Sequence, residues 1–235
     1  MIGRTLSTAF SIAVLMLAMS ACTSVSAASD ASALPAPTLD TTRSATPHEQ
    51  VAVFAGGCFW GIQAVFEHIN GVDQTTAGYS GGNADTAHYD MVSEGNTGHA
   101  ESVRVSFNPD RVSYGTLLQA FFSVALDPTE RNRQGPDVGS QYRSVIFYAN
   151  AEQKRIATAY LAQLAAAKAF PRPIVTQVVP LKAFYPAESY HQDYFRKHPD
   201  NLYIVINDKP KVARLKQLFP GLYHPEQQFV QVQLQ

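Results

Sequence analysis

Cysteine is scarce in this chain of 235 residues, which has only Cys22 and Cys58. The sequence contains no CxxC pair, no HExxH pair and no glycine-rich phosphate or dinucleotide loop, so metal or nucleotide chemistry has no support. Charge is also low and balanced, with 18 Lys and Arg against 19 Asp and Glu, a formal net charge of −1. A near-neutral chain without runs of like charge argues against a nucleic-acid partner.

The rest of the composition is that of an ordinary globular protein. With 46% hydrophobic residues and no internal repeat, the chain is long enough for one good-sized core. We expect a single folded domain over residues 51–219. The preceding residues 23–50 are rich in Ala, Ser, Thr and Pro without periodicity, which predicts a disordered linker. Residues 220–235 form a C-terminal tail.

The N-terminus predicts a secretory signal peptide over residues 1–22. Arg4 precedes an apolar stretch that is too short to span a bilayer comfortably and is typical of a signal h-region. Residues 19–22 resemble a bacterial lipobox, in which Cys22 would carry a lipid, although Met19 is unusual there. Small-x-small sites also permit ordinary cleavage up to residue 28. Both readings predict export to the periplasm, either soluble or lipid-anchored, and both leave Cys58 as the only thiol of the mature fold.

The stretch around Cys58 joins a predicted strand to a predicted helix. An apolar run over residues 51–55 is stopped by two glycines, and after Cys58 the apolar residues recur with helical spacing, at Ile62, Val65, Phe66 and Ile69. A thiol at a helix N-terminus is expected to have a lowered pKa and to react as the thiolate. A lone cysteine is more often a small buried hydrophobe, but an unpaired thiol in an exported protein favours a reactive role.

A second candidate is Glu101, which starts a clean alternation of apolar and polar residues over 101–107. Glu101 shares its face with Val103 and Val105, so it is expected to point inward. Burial would raise the pKa of its carboxyl and keep it protonated near neutral pH. The alternative is that Glu101, as the first residue of the strand, turns into water or pairs with an arginine.

Strands and helices alternate irregularly along the domain, which favours a mixed-sheet α/β sandwich over a regular parallel sheet. We expect an edge strand at residues 174–179, because Pro173 and Pro180 flank it. We also expect a short aromatic helix at 188–197, a short strand at 202–206 and a final helix at 210–219.

Five motifs carry a resemblance to a known family. They are GGCFWG at 56–61, GYSGG at 78–82, GHAESV at 98–103, RQGPDVGSQYRS at 133–144 and HQDY at 191–194. In this order they resemble the peptide methionine sulfoxide reductase A family, and the match runs from about Val51 to Tyr203. The resemblance implies a single α+β domain with an elaborated ferredoxin-like fold. It also implies reduction of the S-epimer of methionine sulfoxide, free or in proteins.

The resemblance assigns roles to eight residues. Cys58 matches the nucleophile that attacks the sulfoxide sulfur and becomes a sulfenic acid, and Glu101 matches the acid that protonates the sulfoxide oxygen. The others match hydroxyl donors to that oxygen (Tyr89 and Tyr142), supporting residues (Asp137 and Tyr194) and the pocket for the S-methyl group (Phe59 and Trp60). No bound cofactor or metal and a monomeric state are implied.

Two departures from the family pattern stand out. Leu126 occupies a position where many members have histidine, and no cysteine follows Cys58, whereas many members carry a resolving cysteine near the C-terminus. We therefore expect an external thiol to recycle Cys58, from a thioredoxin-like protein, a glutaredoxin-like protein or a small molecule. Two alternatives remain open: a thiol peroxidase or transferase that uses Cys58, and a non-enzymatic lipoprotein that binds peptides through Phe59 and Trp60.

Overall fold

The structure, a computed structural model, describes residues 1, 32–41 and 49–225. The predicted signal peptide after Met1, including Cys22, lies outside these ranges, as do the last ten residues of the predicted tail. No helix within the described ranges is long and apolar enough to cross a membrane.

A six-stranded mixed sheet forms the centre of the domain, with strand order β7-β6-β1-β3-β2-β8. Neighbouring strands are antiparallel except β6 and β7, which are parallel. The strands are β1 (Gln50–Ala55), β2 (Val72–Ser80), β3 (Ala100–Phe107), β6 (Val145–Tyr148), β7 (Gln177–Pro180) and β8 (Tyr185–Pro186), while β4 (Arg133–Gln134) and β5 (Asp137–Val138) form a separate small hairpin. This arrangement confirms the predicted α+β class, and β7 is the expected edge strand.

Helices cover one face of the sheet. They are α1 (Phe59–Glu67), α2 (Tyr89–Val92), α3 (Tyr114–Ala120), α4 (Ala151–Ala166), α5 (Tyr194–Lys197) and α6 (Lys209–Leu218), and a π-helical turn, Phe121–Ala125, extends α3. The main core lies between them and the sheet, where the Phe54 ring of β1 packs 4.9 Å from Phe66 of α1 and 5.1 Å from Phe121. The alternate residues of β1, Val53 and Ala55, belong to a smaller apolar cluster, as the twofold periodicity of a strand requires.

Two predictions about the C-terminal region were wrong. Residues 202–206 do not form a strand but belong to a helical segment, with a π-helical turn Ile204–Asp208 that leads into α6. The apolar run suited a strand, but packing of the fully buried Ile204 against the helices overrides that local preference. The expected helix at 188–197 is split into the turn Ser189–His191 and α5, because Asp193 adopts a left-handed φ of 54°.

Residues 32–41 also differ from the expected disorder, since they lie along α3 and α4. Three long side chains of the helices hydrogen-bond to the backbone carbonyls of this segment: Gln119 to Leu34 at 2.6 Å, Tyr160 to Pro35 at 2.9 Å, and Gln163 to Ala36 at 2.8 Å. Proline prevents regular structure here, so side chains supply the donors that a sheet would otherwise supply. We call this segment the N-terminal strap.

Asp40, the penultimate residue of the strap, is predicted to stabilise the start of α3. Its carboxylate accepts hydrogen bonds from the Gly115 N–H, at 2.7 Å, and from the hydroxyl of the N-cap residue Ser113. Because a carboxylate at a helix N-terminus complements the free N–H groups and the dipole, Asp40→Ala should lower the free energy of unfolding by about 1–2 kcal/mol. Urea denaturation measures this loss. The exposed Asp200→Ala serves as control, and equal stability of the two variants would contradict the anchoring role.

Candidate active site

Cys58 lies at the junction of β1 and α1, as the sequence predicts. It is the N-cap residue of α1 and is 8% exposed. Gly57 has a φ of +103°, and a Cβ placed on it would lie 2.7 Å from Gln134. Only glycine adopts this turn without strain, so the Gly-Gly pair allows the chain to reverse tightly and place the thiol at the first turn of the helix.

Glu101 points into the protein beside that same turn. It is 3% exposed, and its Oε2 accepts a hydrogen bond from the Phe59 N–H at 3.0 Å. The alternative of an arginine partner does not apply, because no ion pair to Glu101 occurs among the described residues. Burial raises the pKa of this carboxyl to about 8, against the opposing effect of the Phe59 N–H. Glu101 is therefore a neutral acid at pH 7.

The expectation of a lowered pKa for Cys58 was wrong. Burial, followed by the nearby carboxyl groups of Glu101 and Asp208, raises the pKa of the thiol well above its ordinary value. The Trp60 N–H at the helix start and the Lys211 ammonium act in the opposite direction but are outweighed. Complete burial shifts a pKa by up to about 3–5 units, which exceeds the contribution of one helix terminus. Cys58 rests as a neutral thiol.

Two tyrosines approach Cys58 and Glu101 from separate loops. Tyr89 begins α2, and Tyr142 ends the 3-10 turn Ser140–Tyr142. Burial, and then proximity to the Glu101 carboxyl, raises the pKa of both phenols, and Cys58 and Asp137 act in the same direction on each of them. Both hydroxyl groups therefore keep their protons and remain hydrogen-bond donors.

Aromatic rings form one wall of the site. Trp60 stacks on Tyr194 with ring centroids 3.7 Å apart, and the Tyr203 ring meets it edge-on at 5.8 Å. The Trp60 indole N–H donates to His191 Nδ1 at 3.2 Å. Phe59 is only 1% exposed, so it supports this wall from beneath, with its ring 5.0 Å from His191. Phe59 and Trp60 are the two residues predicted to form the pocket, and only Trp60 is partly exposed.

The structure thus brings all eight predicted site residues to one region, and it adds Tyr203 and Glu188. The Tyr203 hydroxyl donates to the Asp137 carboxylate. Glu188 accepts the Tyr89 N–H at 2.9 Å, which fixes the start of α2. The sequence does not identify Tyr203 as a site residue, because the apolar run at residues 202–206 favours a strand. It does not identify Glu188 either, because no periodic pattern distinguishes that residue.

The chain is similar to known proteins over most of its length. A family model described as peptide methionine sulfoxide reductase matches residues 50–221. The chain belongs to this family. MsrA 2 of Mesorhizobium japonicum is 56% identical, over 76% of this chain and 92% of the relative, and MsrA 2 of Synechocystis sp. is 51% identical, over 72% and 78%.

Solved structures agree with the sequence comparisons. Reduced Mxr1 from Saccharomyces cerevisiae has a TM-score of 0.56 at 31% identity, covering 67% of this chain and 92% of that chain. Methionine sulfoxide reductase A of Corynebacterium diphtheriae also has a TM-score of 0.56, at 33% identity, covering 73% and 85%. The fold is therefore that of methionine sulfoxide reductase A structures.

In this family member an ion pair lies near Cys58 and acts on the pKa of its thiol. Asp208 is fully buried, and its Oδ1 lies 3.1 Å from Lys211 Nζ. A Cβ on Gly61 of α1 would lie 2.0 Å from the same Oδ1, so the pair fits only because residue 61 is glycine. Leu126 packs against the main core, and its Cδ1 would lie 3.0 Å from a Cβ placed on Gly56.

The buried carboxyl of this reductase predicts a pH-dependent loss of stability. The pKa of Glu101 is raised from 4.5 to about 8, so folding favours the protonated form and stability is lost as the pH rises from about 4.5 through about 8. Glu101→Gln removes this loss. Its free energy of unfolding should rise relative to the parent protein by a few kcal/mol between pH 5 and pH 9, as measured by urea denaturation. The exposed Glu152→Gln is the control, and a difference that does not change with pH would contradict the burial argument.

Proposed function

We propose that this protein reduces the S-epimer of methionine sulfoxide, free and in polypeptides, to methionine, with Cys58 as nucleophile and Glu101 as acid. The observation that carries the proposal is the hydrogen bond from the Phe59 N–H to Glu101. It places a carboxyl that is neutral at pH 7 beside the helix turn that begins with the only thiol of the described residues. A sulfoxide needs both groups, since its oxygen must be protonated while its sulfur is attacked.

The proposed step balances without a metal or cofactor. Cys58 Sγ attacks the sulfoxide sulfur, and Glu101 donates its proton to the oxygen. This attack forms an S–S bond, and Glu101 recovers the proton that the thiol gives up. The S–O bond of the substrate then breaks and the protonated oxygen passes to Cys58 Sγ. The S–S bond breaks at the same time, with its electron pair remaining on the methionine sulfur, so Cys58 is left as a sulfenic acid. The substrate sulfur is reduced by two electrons, and the cysteine sulfur is oxidised by two. Methionine leaves as product.

The surrounding residues have separate tasks in this proposal. The Tyr89 and Tyr142 hydroxyl groups hydrogen-bond to the sulfoxide oxygen while its negative charge is greatest. Trp60 provides an apolar surface for the S-methyl group, and Tyr194 holds the indole by stacking. Asp137 is oriented by Tyr203. None of the charged groups that act on Cys58 is an arginine, which disfavours the alternative of a thiol peroxidase.

An external thiol completes the proposed cycle, because the sequence has no cysteine after Cys58. The incoming thiol sulfur attacks Cys58 Sγ, the S–O bond breaks and water leaves with the thiol proton. A second thiol then reduces the mixed disulfide. The donor is a thioredoxin-like protein, a glutaredoxin-like protein or a small thiol. The proposed location is the periplasm, where the enzyme would repair exported proteins as a soluble or lipid-anchored monomer.

Epimer-resolved assays test the reaction. With dithiothreitol as reductant, the protein should reduce methionine S-sulfoxide and leave the R form untouched. Cys58→Ser should abolish turnover because the nucleophile is lost, and Glu101→Gln should reduce the rate about 10²- to 10⁴-fold because the acid is lost. Chromatography of free methionine measures both effects. Equal reduction of the two epimers, or full activity of Cys58→Ser, would refute the assignment.

The recycling route makes a separate prediction. Without reductant, one enzyme should form one methionine and stop with a sulfenic acid on Cys58. A dimedone adduct on the peptide that contains Cys58, detected by mass spectrometry, is the expected result. Cys58→Ser should form no adduct. An intramolecular disulfide in the mature protein would contradict the single-thiol cycle.

A further inference from the structure

The exposed large apolar side chains of the described residues, apart from Met1, are not spread over the surface. Each of them adjoins a segment that builds the active site. They are Met91, Val138, Tyr190, Leu202, Val205 and Ile206, and we call them the apolar rim. Single exposed apolar residues need no explanation, but their concentration around one site is typical of a binding surface.

Three members of the rim come from three different loops of the site. Met91 lies in α2, two residues after Tyr89, and Val138 directly follows Asp137. Tyr190 precedes His191, and their ring centroids are 4.3 Å apart. Since the His191 ring also lies 4.3 Å from Tyr89, Met91 and Tyr190 belong to the same side of the site.

The other three members lie next to Tyr203 in sequence, and the Tyr203 hydroxyl donates to Asp137, the residue before Val138. Leu202 and Ile206 are 75% and 67% exposed and stand four residues apart in a helical segment, so their side chains are neighbours. Val205 lies between them. Tyr203 itself turns inward, edge-on to Trp60. Trp60 contacts both His191 and Tyr203, so rim members adjoin two different neighbours of the Trp60 ring.

We propose that the apolar rim binds the apolar residues that precede and follow a methionine sulfoxide in an unfolded polypeptide segment. This inference rests on the proposed function, since it extends the same site to the residues that flank methionine sulfoxide in the substrate polypeptide. The chain of a polypeptide substrate continues on both sides of the reacting methionine, so its neighbouring residues come to lie over the surface that surrounds the site. Here that surface carries exposed apolar side chains, which bury apolar area when the neighbouring residues of the substrate are also apolar.

A double variant of the rim tests the inference. Leu202→Gln/Ile206→Gln removes the two most exposed helical members, and glutamine is a good helix former. With dithiothreitol as reductant, its KM for a peptide with leucines on both sides of methionine S-sulfoxide should rise about five- to tenfold, because apolar area is no longer buried on binding. The KM for a serine-flanked peptide and for free methionine S-sulfoxide should stay within about twofold.

A matched control is available on α4, where Ala162 and Ala166 are exposed and also four residues apart. Ala162→Gln/Ala166→Gln should leave every KM unchanged. An equal rise for all three substrates, or no rise for the leucine-flanked peptide, would overturn the inference. So would a defect seen only when a thioredoxin-like protein replaces dithiothreitol, because the rim would then dock the reductant. Absence of reduction of free methionine S-sulfoxide by the parent protein would instead refute the proposed function, and the rim assignment with it.

Discussion

The hydrogen bond from the Phe59 N–H to the Glu101 carboxyl is the contact on which the site depends. It joins the first turn of α1 to β3, two elements that are 42 residues apart in sequence. The first N–H groups of a helix have no partner within the helix. One of them, the Phe59 N–H, donates to the Glu101 carboxyl. The contact is buried and holds the Glu101 carboxyl beside the turn that begins with Cys58. Glu101 and Cys58 are both buried, so they are removed from the water that would otherwise stabilise their ionised forms.

Burial therefore decides the resting state of the site. The sequence suggested that the helix terminus would make Cys58 a thiolate, but the loss of hydration outweighs the dipole, and the neighbouring carboxyl groups act in the same direction. The same burial produces the neutral Glu101 that the chemistry needs. One physical cause thus keeps both groups protonated, so in the proposed mechanism the thiolate of Cys58 forms together with proton transfer rather than before it.

The sequence predicted what depends on local pattern. The strand-glycine-glycine-cysteine-helix order, the inward side of Glu101 and the edge position of β7 follow from periodicity and from proline chemistry. What it could not predict depends on packing across the fold. Ile204 is held in a helix by its burial, although its neighbours favour a strand. The strap at residues 32–41 is ordered because distant glutamine and tyrosine side chains reach its carbonyls, and the pKa of Cys58 reflects groups that lie far away in sequence.

A neutral thiol beside a neutral acid is a consistent starting point for sulfoxide reduction. If Glu101 were ionised it could not protonate the oxygen, and its charge would oppose a thiolate on Cys58. In the proposed mechanism, the carboxylate that remains after Glu101 has protonated the oxygen becomes a base next to the thiol and can accept the thiol proton. The thiol proton then replaces the one that Glu101 has given up, so no separate base is required. In this proposal the ionisation of Cys58 follows from proton transfer to the substrate oxygen.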